Sequence, residues 1–207
     1  MKKKSFLYPI VFMSLLTAIF VFLLAFLNES TAEQVAILQE TDLRKKILYV
    51  FNIDISTDDP LEIEKIFNEN VEEEIINDEN NDPQSIFILK ENGEDKGYAF
   101  PVSGPGLWGG INGYTAISTD YSKLLGIVFI KHEETPGLGG RIDEEVYLQQ
   151  FRDLDLTQGT DEGNYVVYRP AADGNVDAIA GATLTSNSVA KLLNEDINNF
   201  IKERKGE

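Results

Sequence analysis

The chain has 207 residues, of which 35 are Asp or Glu and 18 are Lys or Arg, so its formal charge is −17 with the one His neutral. This acidic balance excludes nucleic acid as a partner, because phosphate binding needs clustered Lys and Arg. The absence of Cys excludes disulfides and a thiol nucleophile, and a single His cannot build a multi-histidine metal site. The length suits one domain with an appendage.

The appendage is an apolar N-terminal segment behind a basic tip. Three lysines precede residues 5–27, which contain no charge, and Glu29 follows them. A helix of this length spans a bilayer core, and the basic tip orients the N-terminus toward the cytoplasm. A cleaved signal peptide is the alternative, although its apolar core usually runs only about 7–15 residues. We expect residues 1–28 to be a cytoplasmic tip and transmembrane anchor in the inner membrane, with the soluble part on the periplasmic side.

Residues 29–82 predict a helical, acidic segment at the start of the soluble part. A capping-box pattern beginning at Thr31 predicts a helix over residues 33–50, and Pro60 precedes a second, short amphipathic helix. The stretch 69–82 is rich in Glu, Asn and Asp. It predicts a solvated surface segment rather than a calcium loop, because the ordered ligand spacing and the Gly of such a loop are missing.

Residues 83–207 have the pattern of a separate domain, in which short apolar strands alternate with turns. The predicted strands cover residues 85–89, 97–102, 113–117, 124–130 and 165–168. A final helix carries an apolar stripe at the helical period, formed by Val189, Leu192, Leu193, Ile197, Phe200 and Ile201. Strands grouped together between helices predict an α+β fold with an antiparallel sheet flanked by helices.

The first of three glycine-rich clusters, residues 103–110, holds the only Trp of the chain, Trp108, beside Leu107. Gly lets the backbone approach a ligand closely, and Trp supplies a flat apolar face. The alternative is a loop between two strands whose Trp fills the core.

The second cluster, residues 131–141, follows a strongly apolar strand and is rich in Gly around Glu134 and Thr135. Loops at strand ends often carry binding sites, and a carboxylate, a hydroxyl and free backbone N–H groups suit a polar, planar ligand. The cluster is not a zinc motif, since a second His is absent. The alternative is a surface turn with a solvated His132.

The third cluster, residues 177–186, lies directly before the final helix. Its Thr and Ser residues are typical helix caps, while the first turn of a helix also offers free N–H groups and the positive end of the dipole to an anion. A hydrolytic triad is not expected, because the chain lacks a Gly-x-Ser-x-Gly elbow. Composition and periodicity thus predict an anchored, acidic, extracytoplasmic domain with an anion site.

Together the clusters resemble the FMN-binding domain family. Members are subunits of two bacterial membrane complexes, the sodium-translocating NADH:quinone oxidoreductase and the Rnf ferredoxin:NAD oxidoreductase. The matching stretches are Gly106-Leu107-Trp108-Gly109, His132-x-Glu134-Thr135-Pro136-Gly137-Leu138-Gly139 and Gly181-Ala182-Thr183-Leu184-Thr185-Ser186. In that family a separate flavin transferase joins FMN, through its phosphate, to the last Thr of Ser/Thr-Gly-Ala-Thr. The resemblance implies one covalent FMN per chain on Thr183, although Ala180 stands here where Ser or Thr is usual.

The resemblance also implies which residues surround the cofactor, and it implies neither a catalytic residue nor a metal ligand. The phosphate would lie among Gly181, Ala182, Thr185 and Ser186. The flavin would be lined by Glu134, Thr135, Gly137, Leu138 and Gly139. Leu107 and Trp108 would lie beside the ring or its entrance.

The function implied by the resemblance is electron relay among membrane subunits, without a substrate site in this chain. The residue pattern favours the sodium-translocating complex. An Rnf subunit and a stand-alone extracytoplasmic electron carrier are the alternatives. A non-covalent FMN-binding module and a cofactor-free assembly domain also stay open. The acidic surface would serve docking or solubility.

Overall fold

The computed structural model describes residues 7–77, 83–157 and 163–206. The chain divides into two compact units, Met1–Asp42 and Leu43–Glu207. The parts of the sequence predictions that concern residues 1–6, among them the basic tip, and residues 78–82, 158–162 and 207 lie outside the described residues.

Residues 7–42 of the first unit are helical. Helix α1 is assigned to Leu7–Val50, and its N-terminal part is long and apolar enough to cross a membrane. The predicted helix start near Thr31 is wrong. Thr31 lies inside α1, where its hydroxyl donates to the Leu27 carbonyl oxygen at 2.9 Å. A Ser or Thr within a helix satisfies its hydroxyl in this way, so the capping-box letters alone do not mark a helix start.

The second unit is built on a six-stranded antiparallel sheet whose strands are neighbours in chain order. The strands are β1 (Val71–Asn77), β2 (Pro83–Glu91), β3 (Glu94–Pro105), β4 (Gly110–Ser118), β5 (Lys123–Lys131) and β6 (Leu154–Asp155). The helices are α2 (Pro60–Asn70), α3 (Glu145–Leu148) and α4 (Thr183–Lys205), with short 3₁₀ turns at Gly139–Asp143 and Gln149–Phe151. This architecture confirms the predicted α+β fold, including the antiparallel sheet, the flanking helices and the N-terminal apolar helix.

Residues 71–77 of the acidic stretch, which was predicted as a solvated surface segment, form the edge strand β1. Its glutamates are exposed and find partners around them: Glu72 pairs with Lys90 at 2.9 Å, and Glu74 pairs with Arg204 at 3.0 Å. An edge strand has a neighbouring strand on one side only, and charges along it prevent pairing with other chains on the other side. The acidic pattern therefore marked the edge of the sheet.

The predicted strand over residues 165–168 is also wrong. Tyr168 makes a single bridge to Val176, and a few backbone hydrogen bonds to residues 175–176, together with side-chain hydrogen bonds, take the place of a partner strand. The Asn194 side chain accepts from Val166 N at 2.8 Å and donates to Val166 O at 3.0 Å. Because these contacts satisfy the backbone N–H and C=O groups, the apolar segment needs no pairing with a neighbouring strand.

The sheet has a hydrophobic core on each face. The C-terminal end of α1 and helix α2 cover one face, through buried residues that include Leu48, Ile63 and Phe67. Helix α4 and the segment around α3 cover the other, through residues that include Phe151 and Val189. All six residues of the predicted apolar stripe on α4 are buried, which confirms that prediction.

Two contacts far apart in sequence fix α4 on the sheet. The rings of Phe100 and Phe200 stack with centroids 3.9 Å apart. Asp196 accepts a hydrogen bond from Ser103 N–H at 2.9 Å, and burial raises the pKa of its carboxyl to about 6 despite that bond. Since α4 begins at Thr183, these contacts also hold its first turn in place.

Candidate functional site

Thr183 is the first residue of α4 and is exposed to solvent. The turn before it is tight, because Ala182 N–H donates to Ile179 O at 3.0 Å and Gly181 has a φ of +80°. The residue at the N-cap is Ala182, without a side-chain capping bond, so the expectation of a Thr or Ser cap is wrong. The N–H groups of a first helical turn have no intrahelical acceptor, and this turn contains no acidic residue. It is therefore suited to a negatively charged group.

The buried carboxylate of Glu134 joins the three glycine-rich clusters. Its Oε1 accepts hydrogen bonds from Leu107 N–H at 2.7 Å and Trp108 N–H at 3.2 Å. Its Oε2 accepts from the Thr185 hydroxyl at 2.6 Å. Glu134 is only 5% exposed and Thr185 only 1%. One side chain thus connects the tip of the β3–β4 hairpin to the first turn of the helix that begins at Thr183.

Two glycines make room for this carboxylate. A Cβ on Gly139 would lie 2.5 Å from Glu134 Oε2 and 2.5 Å from the Thr185 hydroxyl oxygen. A Cβ on Gly106 would collide with Glu134 Oε1. Gly106 in the first cluster and Gly139 in the second are therefore required by the close approach of their backbones to Glu134.

The tip of the β3–β4 hairpin presents apolar side chains to solvent. Gly106 N–H donates to Gly109 O at 2.7 Å and closes the tip. Trp108 is 69% exposed and Leu107 is 47% exposed. The alternative in which Trp108 fills the core is therefore wrong.

The loop after β5 adds another exposed apolar side chain beside the turn that precedes Thr183. Leu138 N–H and Gly140 N–H both donate to Thr135 O, at 3.1 and 2.9 Å. Leu138 is 49% exposed, and its Cδ2 lies 3.6 Å from the position of a Cβ on Gly181. The second and third clusters therefore meet at this point.

His132 orders the loop rather than lying free in solvent. Its Nδ1 accepts from Glu134 N–H at 3.2 Å, and its Nε2 lies 2.8 Å from Asp143 Oδ2. The His132 side chain is 14% exposed. The tautomer that satisfies both contacts carries its proton on Nε2. The solvated-His alternative is therefore wrong, and Asp143, which the sequence analysis did not single out, supports the loop.

The predicted site residues fall into two groups in the structure. Exposed residues surround the first turn of α4: Leu107, Trp108, Thr135, Gly137, Leu138, Gly181 and Thr183. The others are buried: Glu134, Gly139, Ala182, Thr185 and Ser186. Ser186 Oγ accepts from Ile179 N–H at 3.0 Å. The hydroxyls of Thr185 and Ser186 therefore both make hydrogen bonds within the protein.

The other surfaces of the described residues contain fewer features of a binding site. A groove of about 520 Å³ is lined by residues that include Lys45, Tyr49, Asp143 and Arg152, and it contains none of the predicted site residues. Within residues 7–77, 83–157 and 163–206, no three His, Asp or Glu side chains lie together as a metal site would require. The surface around Thr183 is the candidate site.

This surface suits both parts of FMN, its phosphate and its planar ring. The first turn of α4 offers N–H groups and the helix dipole to a phosphate. The residue before the turn, Gly181, has a φ of +80°, which favours glycine, so no side chain occupies that position. Exposed Leu107, Trp108 and Leu138 present apolar surface suited to a planar aromatic ring.

Comparison with known proteins agrees with this chemistry. Residues 106–198 match the FMN-binding domain family, a range that begins at the hairpin tip and includes Thr183. This match confirms the resemblance to that family which the three clusters predicted.

Within that class, the chain is similar to NqrC, one of the subunits of the Na(+)-translocating NADH-quinone reductase. It is 38% identical to the NqrC protein from Yersinia pestis over 114 residues, which cover 53% of this chain and 43% of that protein. It is 34% identical to the NqrC protein from Pseudomonas aeruginosa over 116 residues, which cover 53% and 44%. The chain thus spans less than half the length of these relatives.

Solved structures extend the likeness to most of the fold. The crystal structure of NqrC from Parabacteroides distasonis superposes with a TM-score of 0.62 at 25% identity, covering 78% of this chain and 90% of that one. NqrC from Shewanella oneidensis gives a TM-score of 0.63 at 21% identity, with coverages of 74% and 89%. The described architecture is therefore that of the NqrC fold.

Proposed function

We propose that Thr183 carries FMN through a phosphoester bond, and that the chain relays electrons as a subunit of a sodium-translocating NADH:quinone oxidoreductase. The observation that carries the proposal is the exposed Thr183 hydroxyl on the first turn of α4, beside the apolar hairpin tip. Of the hydroxyls in the third cluster, those of Thr185 and Ser186 are buried in internal hydrogen bonds. Thr183 is the hydroxyl that a transferase can reach.

The residues of the site have separate tasks in this proposal. The N–H groups of the first turn of α4 bind the phosphate, whose remaining charge the helix dipole stabilises. Leu107, Trp108 and Leu138 cover the ring and exclude water from it, because their apolar surface is exposed around the turn. Bound FMN supplies the redox chemistry, while the protein sets its position and environment.

The assignment to a complex rests on the likeness to NqrC proteins from several bacteria. In this proposal the chain has no substrate site of its own and works beside other membrane subunits. A flavin transferase supplies the cofactor. The apolar part of α1 anchors the chain in the inner membrane, and the lysines before it place the soluble domain on the periplasmic side.

The experiment is the intact mass of the denatured full-length chain, produced in a bacterial host together with a flavin transferase. We expect a gain equal to FMN minus one water, located in the peptide that contains Thr183. Thr183→Val should abolish the gain, because it removes the hydroxyl while keeping the shape. Thr183→Ser is the matched control and should retain it.

Two other outcomes would change the proposal. A yellow protein that releases its flavin on denaturation would make the chain a non-covalent FMN-binding module. A colourless, unmodified protein, produced with a transferase that modifies a known substrate, would refute the electron-carrier function. Retained covalent flavin in folded Thr183→Val would move the linkage to another residue.

A further inference from the structure

Both oxygens of the Glu134 carboxylate accept hydrogen bonds from within the protein. Its two oxygens accept three hydrogen bonds, from Leu107 N–H, Trp108 N–H and the Thr185 hydroxyl, at distances of 2.7, 3.2 and 2.6 Å. A buried carboxylate is stable only when such donors replace the water it loses. Both oxygens therefore face donors of the chain itself.

The surrounding backbone encloses this side chain. Gly106 and Gly139 approach its oxygens so closely that neither position has room for a methyl group. With 5% of its surface exposed, Glu134 lies behind the exposed residues of the site. This arrangement differs from a lining residue whose polar atoms point outward to a ligand.

We propose that Glu134 is a positioning residue. It holds the hairpin tip with Leu107 and Trp108 at a fixed place relative to the helix turn that carries Thr183, and it does not contact the flavin. The consequence for the flavin rests on the function proposed above, whereas the effect on the hairpin does not. The resemblance implied a flavin contact for Glu134, and the geometry points to this indirect role.

The backbone of Glu134 is itself held, which a positioning role requires. Its N–H donates to His132 Nδ1 at 3.2 Å, and His132 Nε2 lies 2.8 Å from Asp143. The carboxylate thus extends from a backbone that β5 and the 3₁₀ turn after the loop fix on either side. Removing the carboxylate leaves the hairpin amides without their acceptor, while the strands β3 and β4 keep their own pairing.

The first test is amide hydrogen exchange at Leu107 and Trp108 in the full-length chain without flavin. Glu134→Ala should speed exchange at both amides by about tenfold or more, the range expected for a lost hydrogen bond to a charged group. Glu134→Gln should give a smaller increase, since its amide oxygen still accepts. Glu133→Gln is the matched control, because the exposed Glu133 side chain lies against Gly109 of the same hairpin tip and the substitution removes its charge while keeping its shape. It should leave both rates unchanged.

The second test uses Trp108, the only Trp of the chain, in the flavin-loaded protein. An attached flavin should quench Trp108 fluorescence, and Glu134→Ala, which removes the acceptor of the hairpin amides, should restore part of the emission while the flavin stays bound. A purely structural role would lower stability without changing this quenching.

The outcomes separate the two proposals. Unchanged exchange in Glu134→Gln and Glu134→Ala, or an equal effect of Glu133→Gln, would overturn the positioning role. Unrestored Trp108 emission in loaded, folded Glu134→Ala would also overturn it. If Glu134→Ala does not fold, the nearly isosteric Glu134→Gln decides the exchange test alone. An unloaded wild-type chain would instead refute the flavin function and leave the exchange result standing.

Discussion

Replacing Gly139 with Ala inserts one methyl group into the hydrogen bond that joins the loop after β5 to helix α4. The new Cβ would lie 2.5 Å from both Glu134 Oε2 and the Thr185 hydroxyl oxygen, which are now 2.6 Å apart. A lost hydrogen bond to a buried charge costs about 1.5–3 kcal/mol, and overpacking a core adds about 1–3 kcal/mol. We therefore expect a loss of about 3 kcal/mol or more in the free energy of unfolding of the domain, a large share of typical stability.

The measurement is urea unfolding of the full-length chain in detergent, followed by circular dichroism. At the slopes typical of small domains, such a loss moves the midpoint by roughly 1.5 M. Gly110→Ala is the matched control, because its Cβ would meet only Asn112 Nδ2 at 3.7 Å, an ordinary contact. Its change should stay within about 0.5 kcal/mol. Equal midpoints for the two variants would refute the argument that Gly139 is required by the Glu134–Thr185 contact.

Three further variants test separate parts of the domain. The pKa of Asp196 is raised to about 6, so the folded state holds the extra proton and stability falls as pH rises from about 4 to about 6. Asp196→Asn should flatten that fall in urea midpoints measured across this range, and an unchanged slope would contradict the burial argument. Trp108→Ala should leave stability within about 0.5 kcal/mol, since the side chain is exposed, but change the visible circular dichroism of loaded flavin. Ala180→Ser should speed flavin incorporation without changing stability, and equal rates would show that the family's usual hydroxyl is not used.

The strands β2 to β5 and helix α4 were predictable from the sequence, because the apolar periodicity that marks them there is also what buries them in the fold. The predicted strands within β2, β3, β4 and β5 all appear, and each is apolar and bounded by turn residues. The stripe of α4 was equally clear, since one helical face is buried against the sheet. These elements derive their stability from apolar burial, which periodicity reports directly.

The failures occur where backbone groups are satisfied by partners that no local pattern reveals. Residues 165–168 look like a strand, but the side chain of Asn194, far along the chain, holds them. β1 looks like a loop, because an exposed edge tolerates three consecutive glutamates. Thr31 looks like a cap, yet it lies inside a helix. Each outcome depends on a tertiary partner or on the extent of a helix.

The site was predictable as a set of clusters but not in its internal order. The motifs indicated that the three glycine-rich stretches meet, and the structure brings them together at Glu134. The motifs do not indicate which of their residues face solvent, because the side chain of a Glu, a Thr or a Ser can bind a ligand or make a hydrogen bond within the protein. Burial separates Thr183 from Thr185, and burial depends on the whole fold.

The order of the strands has a consequence for the sequence of folding events. Strands β1 to β5 pair only with their neighbours in the chain, so the sheet can grow hairpin by hairpin through local contacts. Helix α4 instead closes on strand β3 across a separation of 93 residues, as the Ser103–Asp196 bond shows. Because closing a long loop costs more entropy than closing a hairpin, we expect the first turn of α4, and with it the surface around Thr183, to form after the strands have paired. An enzyme that binds this surface would then act on folded domains and not on partly folded ones. Modification would therefore mark chains that have completed folding.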